Sequence, residues 1–315
     1  MVIRDKQTLR RCVKQAVRRA EVVETDLRFD VASGPLGVDG TLASAAQSTP
    51  FHPDAAALCA ALDALDLPVY DLRRAQAEID AYDRGAYLRE LLDAMRARRV
   101  YVRVPLERAG EAFFGDDRFE PLLQVDAEIA FRPGRYGVNY EQAVREIEAA
   151  LGMCGARALL IENWSGDALR YALLPLCEDN GCRLHIALRD AEQAERLGEM
   201  LMQFPSVRVL AWAEGEDSAE RALIALAAEN PRVLVRLSGL QNLGLALETL
   251  GTRFLAYGAQ ADRMELTAGR WNCFKEKLFP LLAQAYLPLA RSGYELTSEA
   301  VAGDVRRLMG GCIED

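Results

Sequence analysis

Apolar residues recur along this chain in two rhythms. Asp5–Ala20 places Leu9, Val13, Ala16, Val17 and Ala20 on one side of a 3.6-residue spiral, which predicts an amphipathic helix. Val22–Asp30 (VVETDLRFD) then reads as a strand with alternating inward and outward positions, broken by Gly and Pro at 34–37. No strong strand follows until about Ala97. Phe51–Leu67, Arg73–Ala81 and Gly85–Arg98 are predicted as helices, the last with Leu88, Leu91, Leu92 and Met95 as its apolar stripe. Residues 29–97 are read as a helical excursion inside one domain spanning 1–315, rather than as a domain of their own. Val100–Pro105 and Phe119–Asp126 are the second and third strands. Asn139–Met153 is a helix with Val144, Ile147 and Leu151 on one face.

A regular series follows. Arg157–Trp164, Arg183–Asp190, Val207–Glu214, Arg232–Gly239 and Arg253–Gln260 are short runs of Val, Ile, Leu and Ala that turn polar at their C-terminal ends. Their first residues are 26, 24, 25 and 21 positions apart, which is the length of a strand plus a helix in a parallel sheet. With the three earlier strands the count is eight, and eight βα units favour closure. The predicted fold is α/β, a (β/α)8 TIM barrel with the excursion between strands 1 and 2. A doubly wound sheet is the alternative, but GxGxxG after a first strand is absent. Trp271–Ala290 and Ser298–Met309 are the closing helices, and Gly310-Gly311 ends the last.

Composition narrows the partners. A net charge of −9 argues against nucleic acid, which selects a basic face. Lys14, Arg18 and Arg19 make the first helix locally basic, but Glu21 and Glu24 follow at once, so this reads as a solvated face. The seven cysteines form no CxxC pair, and an odd, scattered set fits a reducing cytoplasmic setting. No apolar run follows Met1 and none reaches a membrane-spanning length, so neither a signal peptide nor a membrane partner is expected.

In a barrel the functional face is at the strand C-termini. The polar residues there are Asp26, Arg28 and Asp30; Arg103; Asp126; Glu162 and Asn163; His185 and Arg189; Trp212 and Glu214; Arg236 and Ser238; Gln260 and Asp262. Several have plainer readings. His185, between Leu184 and Ile186, is also a satisfied core histidine. His52 suits a helix start. Glu162 is also a structural ion-pair partner of an arginine. Arg28, Arg103 and Arg236 either clamp an anion or neutralise Asp26, Asp126 and Glu162. Cys154 and Cys182 read as small core residues. No GxSxG or P-loop is present, and Lys275 and Lys277 fall on a late helix, which leaves a strand-borne Schiff-base lysine unsupported.

Taken together, the helix leading into the first strand, the stretch PLGVDGTLASA, the phrase DDRFEPLLQVD, the strands RLHIAL, RVLAWAEG, RVLVRLSG and RFLAYGAQADR, and the terminal VAGDVRRLMGG resemble the amidohydrolase superfamily, in its uronate isomerase-like branch. That resemblance implies a metal site built from an HxH pair on the first strand, histidines on the fifth and sixth, and an aspartate on the eighth. The pair falls on Asp26 and Arg28, the fifth-strand histidine on His185, the sixth-strand position on Trp212 and the aspartate on Gln260, with Asp262 two residues later. Arg28 brings a fixed positive charge, Trp212 no ligand atom and Gln260 a weak neutral one.

The expectation is therefore an amidohydrolase-like barrel with a degraded metal centre, non-catalytic or reassigned, binding a small anionic molecule at the strand C-termini. Asp26, His185 and Asp262 are the candidate catalytic residues. Arg28, Arg103, Glu162, Trp212, Arg236 and Gln260 are the candidate ligand-binding ones. No cofactor is expected. The alternative is a metal-dependent hydrolase or uronate isomerase-like enzyme holding one divalent metal, zinc or manganese, in a reduced site. A third reading is a structural subunit of a homo-oligomer.

Overall fold

The computed structural model describes residues 2–3, 5–28, 36, 53–111, 115–132, 139–214 and 216–313. Asp30, His52 and most of the glycine-rich stretch lie outside them. Among the described residues, seven strands join one sheet in sequential order, β1 (Val22–Leu27), β2 (Ala97–Pro105), β3 (Phe119–Asp126), β4 (Ala158–Glu162), β5 (Arg183–Leu188), β6 (Val209–Ala213) and β7 (Val233–Val235). β3 to β7 pair in parallel, each to the next. Helices alternate with these strands, as a parallel sheet requires of its crossovers.

The residues fall into two compact units. The first comprises Met1–Val100, Gly115–Phe119 and Tyr257–Asp315. It holds α1 (Lys6–Arg19), β1, α2 (Pro53–Ala64), α3 (Leu72–Asp80), α4 (Arg84–Met95), the start of β2, and later the long α11 (Met264–Arg291) and α12 (Ser298–Leu308). α11 packs against α1, α2 and α4. All six residues of β1 are buried. The expected inward–outward alternation is thus corrected: β1 is covered on both faces, as strands of parallel sheets are.

The second unit comprises Tyr101–Phe114 and Glu120–Ala256. It holds most of β2 and β3, a short helix α5 (Ala127–Ala130), α6 (Tyr140–Cys154), β4, the helical stretch α7 running through Gly166–Ala168, Leu169–Leu173 and Leu174–Asn180, β5, α8 (Ala191–Leu201), β6, α9 (Asp217–Glu229), β7 and α10 (Leu243–Leu250). Tyr101 on β2 meets His185 on β5 edge-on, ring centroids 5.3 Å apart, although β3 and β4 stand between their strands. Side chains reach across two strands only on a concave face. That contact identifies the inner side of this unit's sheet.

Several elements differ from expectation in their bounds. The helix predicted over Gly85–Arg98 stops at Met95, because Arg96 turns left-handed (φ 59°) and frees Ala97 to open β2. The last long helix begins at Met264, seven residues before Trp271. Gly269 and Thr267 lower helix propensity there, and packing against α2 overrides them. The eighth strand, expected over Arg253–Gln260, is a single bridge in which Leu255 pairs with Arg236. Leu255 N–H donates to Val235 and its carbonyl accepts from Leu237, but four residues on the N–H of Ala259 goes to a side chain. No helix among the described residues is long and apolar enough to cross a membrane.

Candidate functional site

In the first unit the site begins with Glu24, at the middle of β1 and fully buried. One carboxylate oxygen accepts from the backbone N–H groups of Thr25 and Asp26, each at 3.0 Å. The other accepts from Ala259 N–H at 2.7 Å and from the Trp271 indole at 2.9 Å. Four donors around one buried carboxylate satisfy its oxygens and fix the chain on both sides. Burial first, and the Glu24 charge second, push the nearby Tyr257 phenol up to about 12. Its ring stacks on Phe274 and meets Trp271 edge-on.

Asp26, two residues further on, is also fully buried. Its Oδ2 accepts from the Gln260 amide at 3.3 Å, and the Arg28 guanidinium stands 3.9 Å away. Gln260 is left-handed at φ 49°, which turns its amide back to β1, and Arg28 N–H donates to the Ala261 carbonyl. Arg270 on α11 secures this turn from behind. It donates to the carbonyls of Ala259 and Gln260 and to Asp54 on α2, the last at 2.7 and 3.0 Å. Asp26, Arg28 and Gln260 are thus brought together as the sequence suggests. Asp262 follows them but is exposed.

In the second unit, Arg103 on β2 pairs with Glu162 at the end of β4, reaching over β3 on the concave face. The other Glu162 oxygen accepts from Gln124 on β3 at 2.6 Å. The register then aligns Leu160, His185, Leu210 and Leu234 in one row, with Asp126 beside Glu162 and Ala187 beside Trp212 one step up. His185 is fully buried in that apolar row against Tyr101. The guanidinium of Arg236 lies 4.0 Å over the ring of Trp212, both side chains being almost completely buried. At the rim, Asp126 accepts from Asn163 at 3.0 Å, and Asn163 accepts from Arg189 at 2.7 Å. Ser238 donates its hydroxyl to the Ala213 carbonyl and its N–H to the buried Glu220, which also accepts from Asn242 at 2.6 Å.

The donor set is a test of the metal that the resemblance implies. Among the described residues no three His, Cys, Asp or Glu side chains are grouped as metal ligands. A guanidinium faces the Asp26 carboxylate, and a cation held by Trp212 occupies the sixth- and seventh-strand ends. Among the described residues, this set lacks the grouped donors that a divalent cation needs. Sequence reasoning missed Glu24, Gln124 and Arg270. Glu24 follows the two valines that open β1, and nothing in that stretch marks its distant donors. Gln124 and Arg270 carry no mark either, because their partners are distant in sequence.

No model of a known protein family and no curated protein matches the sequence. Solved structures do match, and two of them cover nearly the whole chain. The uronate isomerase of Bacillus halodurans C-125 has a TM-score of 0.81 at 15% identity, covering 98% of this chain and 96% of its own. The uronate isomerase of Thermotoga maritima has a TM-score of 0.63 at 10% identity, covering 100% and 99%. Identities this low speak for backbone arrangement alone. In fold, therefore, this chain is a TIM-barrel-like α/β protein of the kind seen in the uronate isomerases.

Proposed function

We propose that the chain is a uronate isomerase-like barrel whose strand ends bind a small organic acid of the sugar-acid class without a metal. The observation that carries this reading is the Asp26–Arg28 pair with its Gln260 amide. The resemblance assigns these positions to metal ligands, yet here a fixed cation and a neutral amide already compensate the one carboxylate. Arginines at the strand ends suit a carboxylate ligand, whose two oxygens match the guanidinium fork. A uronate is such a ligand, and both structural neighbours are named for acting on one. The buried, apolar setting of His185 supports a packing role for it rather than proton transfer. Seven free cysteines support a reducing, cytoplasmic setting.

The test is elemental analysis of the purified protein beside calorimetric titration with D-glucuronate. The reading expects substoichiometric metal and acid binding that survives chelation. Stoichiometric zinc or manganese that disappears in His185→Ala would replace it with a metal-dependent isomerase or hydrolase using a reduced site.

A further inference from the structure

In the second unit α8 and α9 pack side by side. They approach closely at Gly198, where a Cβ would lie 2.8 Å from Leu226 Cδ1. Along this seam the two helices leave an open groove of about 790 Å³. Its floor is apolar. Ala194 and Gly198 supply it from α8, and Ala222 and Leu226 from α9. Each pair is four residues apart and so shares one helix face. Met202, just past the end of α8 and 74% exposed, lines the same groove.

The rim is acidic. Glu195 and Glu199 line it from α8 and Glu229 from α9, all three exposed. The arginines nearby are engaged with other groups. Arg196 holds Glu192 and Arg221 holds Asp217, each within its own helix. Arg232 also lines the groove, but its guanidinium donates to the carbonyls of Leu201 and Phe204. Arg253 donates to the Ala227 carbonyl at 2.9 Å. Among the described residues, no side-chain hydrogen bond or ion pair reaches the three rim carboxylates. The helix dipole favours a cation in the last turn, yet neither helix has a basic residue there. Glu199 and Glu229 occupy those turns instead. The chain thus leaves an apolar floor uncovered and the negative charge around it uncompensated.

We propose that the α8–α9 groove docks a basic amphipathic helix of a partner protein. A third helix lies naturally along the furrow between two neighbours, its side-chain ridge entering their groove. Such recognition draws its affinity from a few apolar anchors. The small floor residues leave room for one row of them, and the flexible thioether of Met202 adapts to their shape. The rim selects the partner's charge. Lys or Arg beside the apolar row pairs with Glu195, Glu199 and Glu229, whereas an acidic helix is repelled. The same cations answer the negative C-terminal ends of α8 and α9. α8 has 11 residues, so the occupant runs along about three turns.

The experiment measures fluorescence anisotropy of a labelled peptide of the stated chemistry. The sequence Lys6–Arg19, made with Cys12→Ser, serves as the probe, since its charges are all positive and Leu9, Val13 and Val17 share one face. A scrambled peptide keeps the composition and disperses that face. The protein variants are Glu195→Lys/Glu199→Lys, Met202→Ser and Glu248→Lys, the last on the exposed side of α10. All four positions are exposed, so melting temperatures should stay near that of the parent. The parent is expected to bind the probe about 10-fold or more tightly than the scramble, and less tightly at high salt. Glu195→Lys/Glu199→Lys weakens binding about 10- to 100-fold and Met202→Ser about 3- to 10-fold. Glu248→Lys stays within about 2-fold of the parent. A parent that ignores the probe, or binds probe and scramble alike, would overturn the docking groove. Equal binding by the parent and the double reversal would do the same. So would a parent that self-associates in sedimentation and comes apart in the double reversal, because the groove would then belong to a second copy.

Discussion

Glu24 shows how much one buried side chain decides here. It stands in the middle of an otherwise closed strand and accepts four N–H groups, three of them from backbone. Replacing it with leucine leaves those donors unpaired, at about 1–3 kcal/mol for each that cannot relax. Glu24→Leu is therefore expected to lower stability by about 3 kcal/mol or more in urea unfolding. It should also lower the near-ultraviolet signal of Trp271, whose indole loses its acceptor. Lys275 acts in the opposite sense. It is 5% exposed, donates to the carbonyls of Ala20 and Met95, and burial, with Arg96 nearby, pulls its amine down to about 8. Between about 8 and the ordinary lysine value the unfolded chain binds a proton that the folded chain lacks. Its contribution to stability is thus fully present above the ordinary lysine value and is lost as pH falls through about 8. Unfolding midpoints from pH 7 to 10, compared between the parent and Lys275→Met, should diverge in that window. A parallel pair of curves would refute the shift. That Glu162 would meet an arginine was legible in the sequence, but not that the arginine would be Arg103. The role of Glu24 was not legible, because one acidic residue in a strand carries no mark of who donates to it.

At the scale of elements, contact between helices sets limits that propensity does not. A Cβ on Gly269 of α11 would sit 1.7 Å from the Ala57 carbonyl oxygen of α2, so the two backbones touch at that point. Gly269→Ala raises helix propensity yet forces the helices apart, and overpacking of this kind costs about 1–3 kcal/mol. A lower melting temperature is the expected result. At the other extreme, Arg96 ends α4 in the left-handed region, where glycine is at ease. Arg96→Gly is expected to raise stability by about 0.5–1 kcal/mol in the same assay. Strand and helix order followed from periodicity because each unit buries one continuous apolar face, and Phe119–Asp126 and Arg183–Leu188 begin where the sequence places them. The last stretch did not, because its backbone partners are a bridge on one side and a carboxylate on the other.

For the whole molecule, the acid-binding reading makes one further demand. A protein that needs no metal keeps its melting temperature after exhaustive chelation, and sugar acid raises that temperature by mass action. A fall of several degrees on chelation, restored by zinc or manganese, would mean that a metal stabilises the fold. The net charge of −9 adds that binding of a small acid works against a general repulsion, so it should strengthen with salt wherever specific arginine contacts are short. The sequence by itself determined the class of fold, the strand order and the places where polar residues gather. Spacing and burial are local properties, and a parallel sheet repeats them unit by unit. Only the tertiary structure decided which of those polar residues meet. Glu24 finds two of its four donors more than 230 residues away, Glu162 finds Arg103 across an intervening strand, and Arg189 meets an asparagine 26 residues earlier. Pairings of this kind depend on the curvature of the sheet, and no local pattern encodes it.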